Sequence, residues 1–253
     1  MKKPVLIILG AVMVPLLFVM PAAAQATRTW VSGIEDDANP CSRTAPCPYL
    51  RRRYSKTAAG GEIDALDPGG FGGVTIIKAI TIAQEEGVGE AGILVAGTNG
   101  ITVNAGANDV VVLRGLQFDG GPIGSNSLAG VKFNTGAALI IQNCSIRNFT
   151  GGSPNGYGVA FTPSTTSTLS SCPIRWSRIT AQATAGGGVL IQPTGSGSAK
   201  ASLVRVNAVN NFLGIRADGT GGLGTIFLSI WNSAATGNLS AGMAAITPGG
   251  ARS

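Results

Sequence analysis

Leu113-Arg114-Gly115-Leu116-Gln117-Phe118, Ile141-Gln142-Asn143-Cys144-Ser145-Ile146, Val204-Arg205-Val206 and Ile230-Trp231-Asn232-Ser233-Ala234-Ala235 read as copies of one segment. Taking Gly115, Asn143, Arg205 and Asn232 as equivalent, the copies stand 28, 62 and 27 residues apart. The middle interval has room for a further copy, due near residue 174. A period of this size, built from short strands and Gly/Asn turns, predicts a solenoid. Each coil then buries its apolar side only by stacking on its neighbours.

The rest of the chain agrees with an all-β reading. Val74-Thr75-Ile76-Ile77, Ile80-Thr81-Ile82, Ile101-Thr102-Val103, Val110-Val111-Val112-Leu113, Leu139-Ile140-Ile141, Val189-Leu190-Ile191 and Ile226-Phe227-Leu228 are short β-branched or apolar runs separated by Gly, Asn, Thr and Ser. Stacking places Leu113, Ile141 and Ile230 in one inward column, and Leu116 and Cys144 in a second that Val206 and Ser233 continue. Asn143 and Asn232 recur at one corner, where a ladder of side-chain amides along the axis is expected.

The first residues read as a secretory leader: Lys2 and Lys3, an apolar run from Pro4 to about Met20, then Ala24-Gln25-Ala26 as an A-x-A site. Cleavage is expected between Ala26 and Thr27. Residues 1–26 are then the leader, 27–60 an N-terminal segment with a cap, and 61–253 the solenoid. No later stretch is apolar enough to span a bilayer, so the expected location is secreted or periplasmic. Cys41 and Cys47 bracket a small loop, and in an oxidising compartment a disulfide is expected there. The chain has no histidine, and its cysteine spacing suits no zinc site; neither a metal nor a cofactor is expected.

Thr29-Trp30-Val31-Ser32-Gly33 and Asp36-Asp37-Ala38-Asn39-Pro40-Cys41, continuing through Cys47, carry a family resemblance. Ser55-Lys56-Thr57-Ala58-Ala59-Gly60-Gly61-Glu62-Ile63, Leu66-Asp67-Pro68-Gly69-Gly70-Phe71-Gly72, Gly97-Thr98-Asn99-Gly100 and Gln192-Pro193-Thr194-Gly195-Ser196-Gly197-Ser198-Ala199 extend it. The chain resembles secreted bacterial right-handed parallel β-helix proteins of the pectin-lyase-like kind, mostly of unknown function. The resemblance implies that fold in a single domain. It also implies a short amphipathic capping helix after Cys47, and a longer C-terminal end than this chain has. An open end would expose an apolar cross-section, so self-association through it is expected.

Two stretches depart from the pattern. Residues 48–54 read Pro48-Tyr49-Leu50-Arg51-Arg52-Arg53-Tyr54 where the family resembles Lys-Thr-Phe-Ala-Gly-Ala-Ile, and residues 170–184 interrupt the repeat. Codons read one base out of phase permit family-like residues in both, including a valine at 171 and an aspartate at the missing corner, 174. Two compensated frame shifts are therefore expected; ordinary divergence is the alternative. Without the leader and the five arginines of these stretches, 11 basic residues face 12 acidic ones. The high pI then gives no reason to expect a nucleic-acid partner.

Function is less legible. A polysaccharide lyase or hydrolase needs clustered acids or calcium, with a basic residue against a uronate. The acids are scattered in sequence, and no catalytic residue is assigned: Glu62 and Asp67 could serve as acids, but no partner is legible for either. Asp119 and Arg147 align on adjacent coils, as a surface ion pair would. Arg114, Gln142 and Trp231 share an outward column suited to stacking and hydrogen bonding with sugars. The expected role is a non-catalytic glycan- or surface-binding or structural module, with a polysaccharide or cell-surface glycan as its expected partner. The alternatives are a polysaccharide-active enzyme and a degraded, frame-shifted copy.

Overall fold

The computed structural model describes residues 25–34, 36, 38–85, 87, 89–122, 124–171, 177–180 and 186–248. The leader, apart from Gln25 and Ala26, and residues 172–176 and 181–185 of the interrupted repeat lie outside the described residues.

Alternating apolar residues make the chain turn back on itself as a parallel β-solenoid of about seven coils. Strands are numbered in chain order. Sheet A holds eight: β1 (Ala26–Val31), β2 (Thr57–Ala65), β5 (Ile80–Gln84), β8 (Val110–Arg114), β11 (Ala138–Gln142), β14 (Ser167–Ser171), β17 (Ala199–Val204) and β20 (Ile226–Trp231). Sheet B holds β3 (Gly69–Gly70), β6 (Ala91–Leu94), β9 (Leu116–Asp119), β12 (Ser145–Arg147), β15 (Ser177–Thr180) and β18 (Val206–Ala208). Sheet C holds β4 (Val74–Ile76), β7 (Ile101–Asn104), β10 (Ala129–Thr135), β13 (Tyr157–Phe161), β16 (Gly187–Ile191), β19 (Leu213–Asp218) and β21 (Ala241–Ile246).

The predicted columns form. In sheet A the register runs Ile63, Ile82, Leu113, Ile141, Ser171, Leu203 and Ile230. In sheet B, Leu116, Phe118, Ile146, Val206 and Ala208 lie in the core, and Ile179 is the register partner of Ile146 and Ala208. Phe133 and Phe161 of sheet C stack with ring centroids 4.7 Å apart. The missing copy is present as β14 and β15, which fill the 62-residue interval. Ser171 is the only non-aliphatic member of its column from Ile63 onward, at the position where a shifted frame permits valine. Ile179, by contrast, continues the sheet B column in the chain's own frame.

After β8, β11, β17 and β20 the chain leaves sheet A through one residue in left-handed backbone. Gly115, Asn143, Arg205 and Asn232 have φ of 73°, 52°, 55° and 47°. That conformation disfavours a Cβ, and Gly and Asn tolerate it best. This is why Asn recurs there: Gly115 and Arg205 interrupt the expected amide ladder. Amide ladders lie elsewhere, from Asn134 Nδ2 to Asn104 Oδ1 at 2.8 Å and from Asn211 Nδ2 to Asn238 Oδ1 at 3.1 Å. Cys144, beside its corner, is a buried small apolar group; burial pushes its thiol up to about 12.

The irregular stretch 48–54 runs into helix α1 (Leu50–Lys56), which packs on β1, β2 and β4. Leu50 is buried in the core, and the Tyr54 hydroxyl accepts a hydrogen bond from the Ile77 amide at 2.5 Å. Lys78 Nζ lies 4.5 Å from the centre of the Tyr54 ring. At the other end, the inward Ile226, Leu228 and Ile230 of β20 are only partly buried, and β20 and β21 each pair on one side only among the described residues.

Candidate functional site

Period-two alternation turns every second residue of sheet A outward. On its first four strands those residues converge. Arg28 Nε donates to Asp64 Oδ2 at 2.5 Å, and the Asp64 side chain is 2% exposed. Arg28 Nη2 also lies 3.9 Å from Glu85 Oε1, while Arg43 Nη2 donates to Glu85 Oε2 at 3.2 Å. Trp30 Nε1 donates to the same carboxylate at 3.4 Å, and the Arg28 guanidinium sits 5.5 Å from the centre of the Trp30 ring. Arg114 Nη2 donates to Glu62 Oε1 at 3.0 Å.

Arg28, Asp64, Glu85 and Arg114 of this cluster line an open groove of about 700 Å³. Arg28, Asp64 and Glu85 stand at one end, Arg114 in the middle, and Gln117 and Asn143 at the other. Among the described residues these ions are paired: Arg28 with Asp64 and Glu85, Arg43 with Glu85, and Arg114 with Glu62. Burial pushes the Glu62 carboxyl up, and the negative Asp64 adds to this; Arg28 and Arg114 offset only part of it. Such a group can hold a proton at a higher pH than an ordinary glutamate.

Each candidate named from sequence has a definite place. Arg114 pairs in register with Gln142, and Trp231 lies further along the same outward column beside Val204. Trp231 is 72% exposed. Asp119 and Arg147 are register partners on β9 and β12 and form the expected ion pair, Nε to Oδ2 at 2.8 Å, two residues along β9 from the groove-lining Gln117. Burial pushes the Asp119 carboxyl up, but hydrogen bonds from Asn148, Arg147 and the Gly121 amide outweigh it and hold the group below its ordinary value. Asp67 is a turn acceptor, taking bonds from the Ser32 hydroxyl at 2.5 Å and the Gly33 amide at 2.6 Å.

Cys41 and Cys47 are both buried, with their Sγ atoms 2.7 Å apart. The loop they bracket is pinned to β1: Trp30 N donates to Cys41 O at 3.0 Å and Cys47 N to Trp30 O at 3.2 Å. Arg43, at the loop's tip, is the residue that reaches Glu85. Ala26 opens β1, so the cleavage site expected between Ala26 and Thr27 falls at the first described strand. No group of three or more metal-ligating side chains occurs among the described residues, and no helix among them is long and apolar enough to cross a membrane.

Sequence reading missed the partners of Glu62 because they come from separate coils. Asp64 and Arg28 are 36 positions apart, and Arg114 and Glu62 are 52 apart. A period-two reading of β1, β2, β5 and β8 in stacked register was the signal that could have found them. No family model, curated protein or solved structure matches the chain.

Proposed function

We propose that the chain is an exported, pectin-lyase-like β-helix module that binds a glycan on the outer face of sheet A without turning it over. The groove bordered by Arg28, Asp64, Glu85, Arg114, Gln117 and Asn143 carries this reading. It is open, rich in planar hydrogen-bonding groups and held by mutual ion pairs. Such groups can meet sugar hydroxyls without rearranging. The A-x-A leader pattern supports export, with removal between Ala26 and Thr27.

A second reading, a polysaccharide-active enzyme, is favoured by one observation: Glu62 has a raised proton affinity beside Asp64 and two arginines. A general acid needs such a group. One experiment separates the two. Full-length secreted protein is applied to a glycan array and to a uronate-lyase absorbance assay. Binding without turnover fits the module. Appearance of unsaturated uronate, lost in Glu62→Gln, would replace it with the enzyme.

A further inference from the structure

Sheet A carries a second depression on the same outer face, on β14, β17 and β20. It has a volume of about 340 Å³ and is lined by Thr168, Lys200, Ser202, Phe227 and Ser229. In contrast to the groove, its walls are mostly apolar. Phe227 is 60% exposed, in register with Lys200. Alternation puts Phe227, Ser229 and Trp231 on the outward side of β20, while Ile226, Leu228 and Ile230 face the core.

The strip joining the two depressions is shallow. The central outward row reads Val112, Ile140, Ser170, Ser202 and Ser229 in successive register, with Arg114 and Gln142 along one side. No ionic side chain stands in that row. Among the described residues, each arginine and carboxylate that lines the groove is held in an ion pair. A charged ligand would have to break those pairs, whereas hydroxyls can bond to their remaining lone pairs and N–H groups.

Coils repeat at about 4.8 Å, so the distance from β2 to β20 is roughly 29 Å. That repeat is close to the advance of one sugar in a linear chain. We propose that the two depressions are subsites for one uncharged, linear polysaccharide crossing sheet A obliquely, from the Arg114 column to the Phe227 column four strand residues away. The groove around Arg114 holds one part of the chain by hydrogen bonds, and the Phe227 ring stacks against a sugar further along. The proposal rests on the glycan-binding reading above and adds the ligand's charge class, its direction and a second contact.

Two linked subsites give an affinity that depends on ligand length, because a chain reaching both gains the second contact intramolecularly. The test is calorimetric titration of full-length protein with cello-, manno- and xylo-oligosaccharides of three and seven sugars. In at least one series the seven-sugar ligand is expected to bind at least tenfold more tightly than the three-sugar one. Phe227→Ala is expected to remove that gain and leave three-sugar binding unchanged; Phe227→Tyr, which keeps a ring, retains the gain. Equal affinity at both lengths, or a gain that survives Phe227→Ala, overturns the second subsite. Binding confined to oligogalacturonates overturns the uncharged class. Binding to no glycan of any charge overturns the underlying glycan-binding reading instead.

Discussion

Arg114 reaches across a whole coil to Glu62: β5 lies between their strands, and the Nη2–Oε1 distance is 3.0 Å. The reach is possible because Ala83, which stands between Asp64 and Arg114 in the outward register, is small and 0% exposed. A larger residue would fill the space under the groove. Ala83→Leu is expected to cost about 1–3 kcal/mol through overpacking and to weaken glycan binding. Urea denaturation with a parallel binding assay checks both; unchanged stability with unchanged binding would remove Ala83 from this role.

The corner residues provide a sharper test of local structure. With φ of 52° at Asn143, Asn143→Ala is expected to destabilise by about 1 kcal/mol. Asn143→Gly, which accepts that backbone freely, should stay within about 0.5 kcal/mol of the parent. If an amide ladder held this corner, the two variants would be equally harmful. Thermal denaturation of both distinguishes the cases.

Cys41 and Cys47 should oxidise on export. Intact mass under non-reducing conditions is expected to fall by two hydrogens relative to the reduced protein, with the bridge mapped to these two residues. Closing so short a loop is worth about 2 kcal/mol. Reduction should therefore lower the denaturation midpoint, and Cys41→Ser should abolish that sensitivity. A mature protein in which both cysteines alkylate without reductant contradicts the assignment.

Two carboxyls bias stability in opposite directions and in different pH windows. Asp119 is held below its ordinary 3.8, so its contribution is present above that value and is lost as pH falls through the lowered one. Glu62 is raised above its ordinary 4.5, so the folded state binds more proton there. Its contribution is greatest below 4.5 and declines as pH rises through the raised value. Glu62→Gln should flatten that decline without affecting the acid limb. A decline of the same size in the variant would show that another group is responsible.

Much of the architecture was legible because its determinants are periodic. Leu113, Ile141 and Ile230 repeat with the coil, and Gly115, Asn143, Arg205 and Asn232 share one left-handed corner. Helix α1 was harder: Leu50 and Tyr54 supply an apolar side from a run that otherwise reads as charge. The groove was not legible. Its charges come from β1, β2, the segment after β5 and β8, and no single coil contains a recognisable pattern. Trp231 could be placed on the outer face from alternation alone, but Phe227 and its depression emerged only once strand register joined β17 to β20.

The most direct measurement is the dissociation constant of the tightest array ligand for the parent protein and for Arg114→Ala, with both shown to be folded. Arg114 is 47% exposed at its side chain, and its ion pair contributes no more than about 1 kcal/mol to stability, so the variant should fold. The account predicts at least a tenfold loss of affinity in the variant. Equal dissociation constants would contradict it, because the ligand would then be bound somewhere other than this face.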